Sequence, residues 1–356
     1  MMMISPDVSR ARLASHRITD PLDDPARVVA WMGAVQAQDY LGVLWAIGAR
    51  TRGATEASVE RAIRTRAIVR TWPMRGTLHF VAAADVRWML ALLAPRAVAR
   101  SAGRMRELEV DAPLISRAKR LFVGALEGGA QLTRGELYSL LEDAGIATAG
   151  QRGHYLLWHA AHDATICIAA RRGKEHTFAL LDEWVPAAPT LPRDAGLAEL
   201  AARYFTGHGP ATVADFVWWS GLTVADAKRA IAGAGARLTG ETVDGTAYWR
   251  SPDATERDPS AAYLLPAFDE YLVGYRERGA VLDPAHARRI NAGGGLLAPV
   301  MVSGGTVVGV WKRTLGKASA VIHAAPFDGG DASEFEGAAA EYGRFLGVPV
   351  ELRTGG

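Results

Sequence analysis

The feature that most constrains the fold is an internal repeat of helices followed by a two-stranded hairpin. Residues 115–185 read as three helices and then two short strands around a Gly-Lys turn, and residues 194–250 repeat that order. In the later copy the Asp244-Gly245 pair is a strong hairpin-turn signal. Helices followed by a hairpin are typical of the winged helix, a variant of the helix-turn-helix motif. The repeat therefore predicts a chain built from tandem units.

Two further segments complete the predicted organisation. Residues 7–110, the third copy, read as helices with a strand-like insert: the helix ASVERAIRTRAIVRTW is broken at Pro73, and MRGTLHFV then alternates like a strand. Residues 259–356 combine strand patterns and glycine-rich turns with a closing helix, EFEGAAAEYGRFLG. The expected fold is α+β, with three tandem winged-helix units over 7–110, 115–185 and 194–250 and a small C-terminal β-barrel. These segments are called the first, second, third and C-terminal units below.

Composition narrows the cellular setting. Cys167 is the single cysteine, so one chain can form neither a disulfide nor a thiolate zinc site, which fits a reducing cytoplasm. The beginning of the chain lacks a signal-peptide pattern, and no window approaches 18 uninterrupted apolar residues. We expect a cytoplasmic protein, associated with the nucleoid when bound to DNA. No dimerisation heptad is present, so we expect a monomer that has no contact with a membrane.

Charge is unevenly distributed along the chain, although the net charge is only +2. Met1 to Arg106 holds 16 arginines and no lysine against 8 acidic residues, whereas the remainder carries a net charge of −6. A basic N-terminal third is the pattern expected of a protein that binds a polyanion. Solvated helix faces would produce the same asymmetry, so charge alone leaves both interpretations open.

Several enzyme classes are excluded by missing motifs. The sequence has no GxxxxGK[ST] P-loop, no HExxH zinc motif and no GxSxG nucleophile elbow. His154, His159 and His162 lie close together on a predicted helix, but only the last two share a face, and no acidic residue is spaced to complete a metal site. Neither a metal nor a cofactor is predicted.

The segment VQAQDYLG holds two glutamines at the end of the first apolar stripe. Gln36 follows Val29 and Met32 by seven and four residues and should point near the buried side. Gln38 would lie about 200° further round an ideal helix. The two amides converge only if the helix ends or tightens near Ala37. Otherwise one glutamine caps the helix end and the other is solvated.

A resemblance bears on this choice. The pieces VQAQDYLG, RTWPMRGTLHFV, LLPAFDEYLVGY and VVGVWKR span nearly the full length, and in this order they resemble the bacterial AlkZ/YcaQ-type winged-helix DNA glycosylases. The resemblance implies three winged-helix units and a C-terminal β-barrel shaped into a basic cleft. It also implies a catalytic Gln-x-Gln or Gln-x-Asp motif, and Gln36-Ala37-Gln38 is similar to the Gln-x-Gln branch.

Amide side chains suit one kind of glycosidic cleavage. A purine alkylated at N7 or N3 already carries a positive charge, so its departure needs no general acid. A glutamine carbonyl can accept a hydrogen bond from the attacking water, and its dipole can face the cationic sugar. Glutamine cannot act as a general base, which predicts activity only on labile, cationic adducts. Asp39 is the neighbouring carboxylate, and a cap or a partner of an arginine is its expected role.

Candidate DNA contacts fall in four places. Arg70, Arg75, Thr77 and His79 flank the glutamine segment, and Arg75, Thr77 and His79 should share one face of a strand, suited to phosphate contact or simply solvated. Arg152 begins a candidate recognition helix. A wing tip carries Arg171, Arg172 and Lys174. Lys312 and Arg313 close a strand, either as an edge-strand guard or as backbone clamps. Core positions are expected for Trp72, Phe80, Trp218 and Trp219, with a wedge into DNA as the alternative for the last two.

Three functions remain open at this point. The first is a monofunctional glycosylase that excises cationic N7- or N3-alkylpurines from double-stranded DNA, with Gln36 and Gln38 positioning water. Its substrates could include bulky adducts and interstrand crosslinks. The second is a non-enzymatic DNA-binding regulator, although three wings in one chain without a dimerisation heptad do not suit a two-fold operator reader. The third is a protein that sequesters a DNA-reactive small molecule in its aromatic-rich third unit.

Overall fold

The computed structural model describes residues 6–188, 190–253, 261–293 and 296–354. Residues 254–260, which make up most of the boundary predicted between the third and C-terminal units, lie outside these ranges. Helices in the described ranges are α1 Pro6–Ser15, α2 Pro25–Met32, α3 Tyr40–Gly48, α4 Glu56–Arg64, α5 Val86–Glu107, α6 Ala112–Leu126, α7 Arg134–Asp143, α8 Arg152–His162, α9 Leu181–Trp184, α10 Arg193–His208, α11 Val213–Ser220, α12 Val224–Ala234, α13 Glu270–Val273, α14 Ala287–Ile290 and α15 Glu336–Leu346.

The strands in the same ranges are β1 Val35–Gln36, β2 Ile68–Met74, β3 Thr77–Ala82, β4 Leu132–Thr133, β5 Ile166–Arg172, β6 Glu175–Leu180, β7 Thr239–Val243, β8 Thr246–Arg250, β9 Ala262–Leu265, β10 Asn291–Gly293, β11 Leu296–Leu297, β12 Val300–Ser303, β13 Thr306–Leu315, β14 Ala320–Pro326 and β15 Val350–Thr354. The first and second units share one six-stranded sheet in the order β1-β3-β2-β5-β6-β4. The glutamine segment lies on its edge strand, β1.

Two local predictions in the second and third units are confirmed. The Thr133 hydroxyl caps α7 by accepting from the Glu136 amide, and the Glu136 carboxylate accepts from the Thr133 amide. This reciprocal pair confirms the predicted capping box. The hairpin β7–β8 turns at Asp244 and Gly245, both with positive φ, as the Asp-Gly pair predicted.

The first unit departs from the sequence prediction in two places. The predicted helix ASVERAIRTRAIVRTW stops at Arg64, and its second half is strand β2, because Ile68 and the residues after it pair with β3 and β5. Pro73 therefore breaks no helix. It lies where the β2–β3 register shifts between Thr71 and Met74, a position where the missing N–H of proline is tolerated.

The C-terminal unit is an open sheet, so the predicted barrel is wrong. Its order is β15-β14-β13-β12-β9, and in the described residues the edge strands β15 and β9 do not pair with each other. The two edges are instead joined by α15, which packs against both β9 and β15 and begins within the predicted closing helix. Because α15 covers one face of the five-stranded sheet, that face is buried although the sheet does not close into a barrel.

Hydrophobic cores run across the unit boundaries. One cluster joins α2–α4 and the large sheet to α6–α8 and to Trp311 and α15 of the C-terminal unit. A second joins α5 to α10–α12. The glutamine segment lies between these clusters, so its surroundings come from several parts of the chain. Within the described ranges, no helix combines the length and apolarity needed to cross a membrane.

Candidate active site

Gln36 and Gln38 sit at a sheet edge and not on a helix. Helix α2 ends at Met32, and Gly33 follows with a φ of 74°, which turns the chain into β1. Gln36 pairs with His79 of β3, and the Ala37 amide continues the ladder to the Leu78 carbonyl at 2.7 Å. Side chains alternate along extended backbone, so Gln36 lies on the face opposite the buried Ala37, and Gln38 follows in a bend with its side chain exposed. The helical angle that separated the two amides does not apply.

The main chain of the motif is fixed from two sides. A Glu270 carboxylate oxygen accepts from the Gln36 amide at 2.7 Å. On the other side, Arg70 Nη2 donates to the Ala37 carbonyl at 2.6 Å, and its Nη1 donates to His176 Nε2 at 2.8 Å. Burial lowers the pKa of Arg70 to about 10, which still leaves the guanidinium charged at neutral pH. A motif held at consecutive residues has little freedom to reorient.

The Gln36 side chain is oriented by Arg75. Nη2 of Arg75 donates to Gln36 Oε1 at 3.2 Å and lies 3.3 Å from His79 Nε2. His79 Nδ1 faces the Thr77 carbonyl at 2.9 Å and must carry the proton, so Nε2 is the acceptor and the ring is neutral. Burial, then the charge of Arg75, lowers the pKa of His79 to about 4, in agreement with this tautomer.

Gln38 is the exposed member of the pair. Its side chain has no hydrogen-bond partner in the part of the chain that the structure describes. Two buried polar atoms beside Gln36, Arg75 Nε and Thr77 Oγ1, also have no partner among the described residues. Buried polar atoms are normally hydrogen-bonded, so this corner retains donor and acceptor capacity for a ligand.

Asp39 does not fill its expected role as a cap. It occupies the N-cap position of α3, yet its side chain makes no capping hydrogen bond. The carboxylate instead folds toward Gly42 on the first turn of the helix, where a side chain at position 42 would clash with it. This places its oxygens along α3.

The predicted DNA contacts separate into two groups. Arg70 and His79 are buried, at 5% and 0% exposure, and bind protein groups. They therefore form no solvated, phosphate-facing strand face, because the segment lies between two cores. Arg75 occupies the Arg75-Gly76 hairpin turn outside the strand, half-buried, and Thr77 is half-buried on β3. All four residues nevertheless adjoin the motif.

The remaining cations lie elsewhere. Arg152 begins α8, but its guanidinium binds the Leu108 and Ala147 carbonyls. Arg171 pairs with Glu60, and Arg313 donates to the Tyr342 hydroxyl at 2.6 Å. The side chains of Arg172, Lys174 and Lys312 are exposed, and Arg172 pairs with Glu136.

The aromatic expectations hold except at one position. Trp72, Phe80 and Trp219 are buried as predicted. Trp218 is 46% exposed, which contradicts its predicted core position, and its indole donates to the Val273 carbonyl at 3.2 Å. An arginine-rich cleft of about 450 Å³ opens between α5, α8 and α11–α12 and starts at the hairpin turn of the motif; its lining includes Arg75, Arg96, Arg100, His154, Tyr155 and Trp158.

Sequence reasoning missed Glu270. Its side chain is fully buried, and its second oxygen faces Trp219 Nε1 at 3.1 Å and His208 Nε2 at 3.3 Å. Burial acts to raise the pKa of Glu270, but the hydrogen bond and charge of His208, with Arg75 nearby, outweigh it and lower the pKa. A signal was available, because two acids inside the apolar run PAFDEYLVGY must be buried with partners.

Metal ligation finds no support in the described ranges, where no group of three or more His, Cys, Asp or Glu side chains could hold an ion. His162, one of the three clustered histidines, stacks on Trp158 at 3.7 Å between ring centroids and lies 2.9 Å from the Trp158 carbonyl through Nδ1. Its role is in packing.

If Gln36 positions water, as the family resemblance implies, replacement of Arg75 by Met should slow base release more than it weakens DNA binding. The Gln36 amide would lose its orienting donor, and misplacement of a group that positions a reactant by about 1 Å can cost up to about 10²-fold in rate. Single-turnover kinetics and duplex titration measure the two effects separately. Arg172→Met, at an exposed wing tip, is the matched control and should reduce affinity alone. Equal loss of rate and affinity in Arg75→Met would assign Arg75 to phosphate contact.

The buried histidines predict a loss of stability in mild acid. Burial lowers the pKa of both His79 and His162 to about 4, whereas the unfolded chain titrates near 6.5. Between these values the unfolded state binds more protons, so stability falls as pH drops from about 6.5 to 4, by at most about 3 kcal/mol per group. Urea unfolding of wild type and His162→Phe across this range tests the sign. The variant should lose part of the slope, and an unchanged slope would contradict the assignment.

Comparison with known proteins identifies the class. The model of the DNA glycosylase AlkZ-like family matches residues 29–345, so the chain belongs to this family of DNA glycosylases, enzymes that hydrolyse the N-glycosyl bond of a base. The resemblance seen in the sequence is confirmed.

A curated protein and a solved structure, both from Streptomyces sahachiroi, illustrate the similarity. The chain is 27% identical over 324 residues to an interstrand DNA cross-link repair glycosylase, with 83% of this chain and 85% of the relative covered. It is also similar to the solved structure of the DNA glycosylase AlkZ, with a TM-score of 0.81 and 24% identity over 99% of this chain and 100% of that chain. The predicted α+β class is therefore confirmed.

Proposed function

We propose that this chain excises cationic N7- or N3-alkylpurines from double-stranded DNA, with Gln36 and Gln38 positioning the attacking water. The observation that carries the proposal is the contrast within the motif: its main chain is held at consecutive residues, while the Gln38 amide is exposed and unpartnered in the described structure. A fixed backbone with a free polar end is what a preorganised site requires.

The surrounding groups favour amide chemistry over general-base chemistry. The oxygens of Glu270 are taken by protein donors, and Asp39 lies along its own helix. A water beside the glutamines therefore meets carbonyl acceptors of low basicity. Such a site can orient water toward an oxocarbenium-like sugar but cannot generate hydroxide. Only a base that already leaves as a neutral molecule, such as a cationic alkylpurine, would then depart at a useful rate.

The helical units would supply the DNA surface. We assign residues 7–110, 115–185 and 194–250 as winged-helix units and 259–356 as the C-terminal unit, which act together as a monomer. Arg96 and Arg100 line the cleft that starts at Arg75, where a strand backbone would pass beside the motif. Arg172, Lys174 and Lys312 are exposed and could contact phosphates further out. Because Arg70 and His79 are buried, in this proposal they support the glutamine motif and do not contact DNA directly.

The lesion class extends to large adducts. The curated relative is named as an interstrand cross-link repair glycosylase, and this chain covers most of its length. The cleft that starts at Arg75 holds about 450 Å³, comparable to the pockets that bind small molecules. We therefore include bulky alkylpurines and interstrand crosslinks among the substrates.

Release of free base from duplex DNA containing N7-methylguanine is the direct test. Free N7-methylguanine and an abasic site should appear with wild-type protein, while undamaged duplex yields neither. A crosslinked duplex in parallel tests the larger substrate. Binding of duplex without base release from any cationic adduct would overturn the proposal and favour the non-enzymatic regulator.

A further inference from the structure

We propose that Glu270 is a positioning residue for the glutamine motif, holding Gln36 through its main-chain amide while touching neither base nor water. The proposal rests on the proposed function above, because it assigns a supporting group to that same site. It connects the segment PAFDEYLVGY of the C-terminal unit to the reaction carried out in the first unit.

The need for such a group follows from the position of β1. Gln36 belongs to an edge strand that pairs only with β3 in the described structure, and the ladder bond there is made by the next residue, Ala37. In an antiparallel ladder, alternate residues direct their amides away from the partner strand. The Gln36 amide thus points to the open edge and needs an acceptor. A further strand would satisfy it but would cover the motif. A single carboxylate satisfies it and leaves the edge free.

The carboxylate is itself held in one orientation. One oxygen accepts from Gln36, and the other faces the Trp219 indole N–H and His208. His208 Nδ1 lies 3.2 Å from the Tyr204 carbonyl, so both ring nitrogens face acceptors. Donors fixed by α10 and α11 therefore determine where Gln36 sits.

The same contacts separate positioning from direct catalysis. Glu270 has no exposed surface, and each of its oxygens already accepts from a protein donor, so no substrate water reaches the carboxylate in this structure. Any effect on the reaction must pass through Gln36. Loss of the contact should consequently lower the chemical rate and leave binding of DNA, which depends on surface cations, nearly unchanged.

The test compares Glu270→Gln with the control Asp85→Asn. Gln at 270 keeps the size but cannot accept with both ends, so either Gln36 or the pair Trp219 and His208 meets an amide NH₂. Asn at 85 makes the same carboxylate-to-amide change at another buried acid, which accepts from the Trp88 indole and from Arg203 and has no contact with Gln36 in the described structure. Single-turnover release of N7-methylguanine, duplex affinity and thermal melting are measured for each.

We expect Glu270→Gln to lose about tenfold to 10²-fold in single-turnover rate, with affinity within about threefold of wild type. Asp85→Asn should melt lower but react at close to the wild-type rate. Glu270→Asp keeps the charge beside His208 while drawing the carboxylate back from Gln36, and it should share the rate defect if Glu270→Gln does not fold. Wild-type rates in the folded variants, or failure of both to fold, would leave Glu270 purely structural. An inactive wild type would instead overturn the proposed function itself.

Discussion

Gln38→Ala should abolish detectable base release while leaving the fold and the DNA affinity nearly intact. The side chain is exposed and unpartnered in the described structure, so its truncation opens no cavity and breaks no bond. Surface changes of this kind usually alter stability by less than about 0.5 kcal/mol. The amide would matter only when the sugar cation forms, and removal of one preorganised group of this type typically costs about 10²–10³ in rate.

Gln36→Ala provides the internal comparison. Gln36 is half-buried and accepts from Arg75, so its truncation should lower both the rate and the melting temperature. Single-turnover release of N7-methylguanine and thermal melting of the two variants separate these outcomes. Asp39→Asn tests the adjacent carboxylate in the same assay and should be close to wild type. If Gln38→Ala keeps the wild-type rate and Asp39→Asn does not, the water is activated by Asp39 and the amide mechanism is wrong.

How much of the structure could be predicted from the sequence depends on how far apart in the chain the interacting residues lie. The capping box at Thr133 and the Asp244-Gly245 turn are decided within four residues, and both were predicted correctly. Strand β2 was predicted as helix because its state is decided by pairing with β3 and with β5, about a hundred residues away. The barrel failed for the same reason, since α15 and not strand pairing joins the two sheet edges.

The candidate site shows the same division. Gln36 and Gln38 were selected by motif, but the helical pattern placed them on a helix, whereas α2 ends at Met32 and Gly33 turns the chain into β1. Glu270 contacts Gln36 from 234 positions away in sequence, and His208 contacts Glu270 from 62 positions away, and no local pattern predicts such contacts. The buried acids of PAFDEYLVGY indicated only that partners must exist.

Asp269, the first of those two acids, forms a fully buried ion pair with Arg50. Loss of stability on breaking this pair is the second large effect that we expect. The guanidinium binds both carboxylate oxygens, at 2.7 and 2.9 Å, and both side chains are at most 1% exposed. Asp269 also caps α13 by accepting from the Tyr271 amide at 2.9 Å. The pair therefore anchors the short helix that presents Glu270 to Gln36.

Arg50→Met should destabilise the protein by about 3–5 kcal/mol, because it leaves the Asp269 carboxylate buried without a counter-charge. Arg52, two residues on, forms an exposed pair with Asp23 at 2.8 Å, and Arg52→Met should cost at most about 1 kcal/mol. Urea unfolding measures both. The double variant Arg50→Met, Asp269→Leu leaves no buried charge without a partner, so part of the lost stability should return. This double variant should still release base slowly even where it is fully folded, since α13 has lost both its cap and its anchor. A wild-type rate in that protein would show that Glu270 holds its place without Asp269.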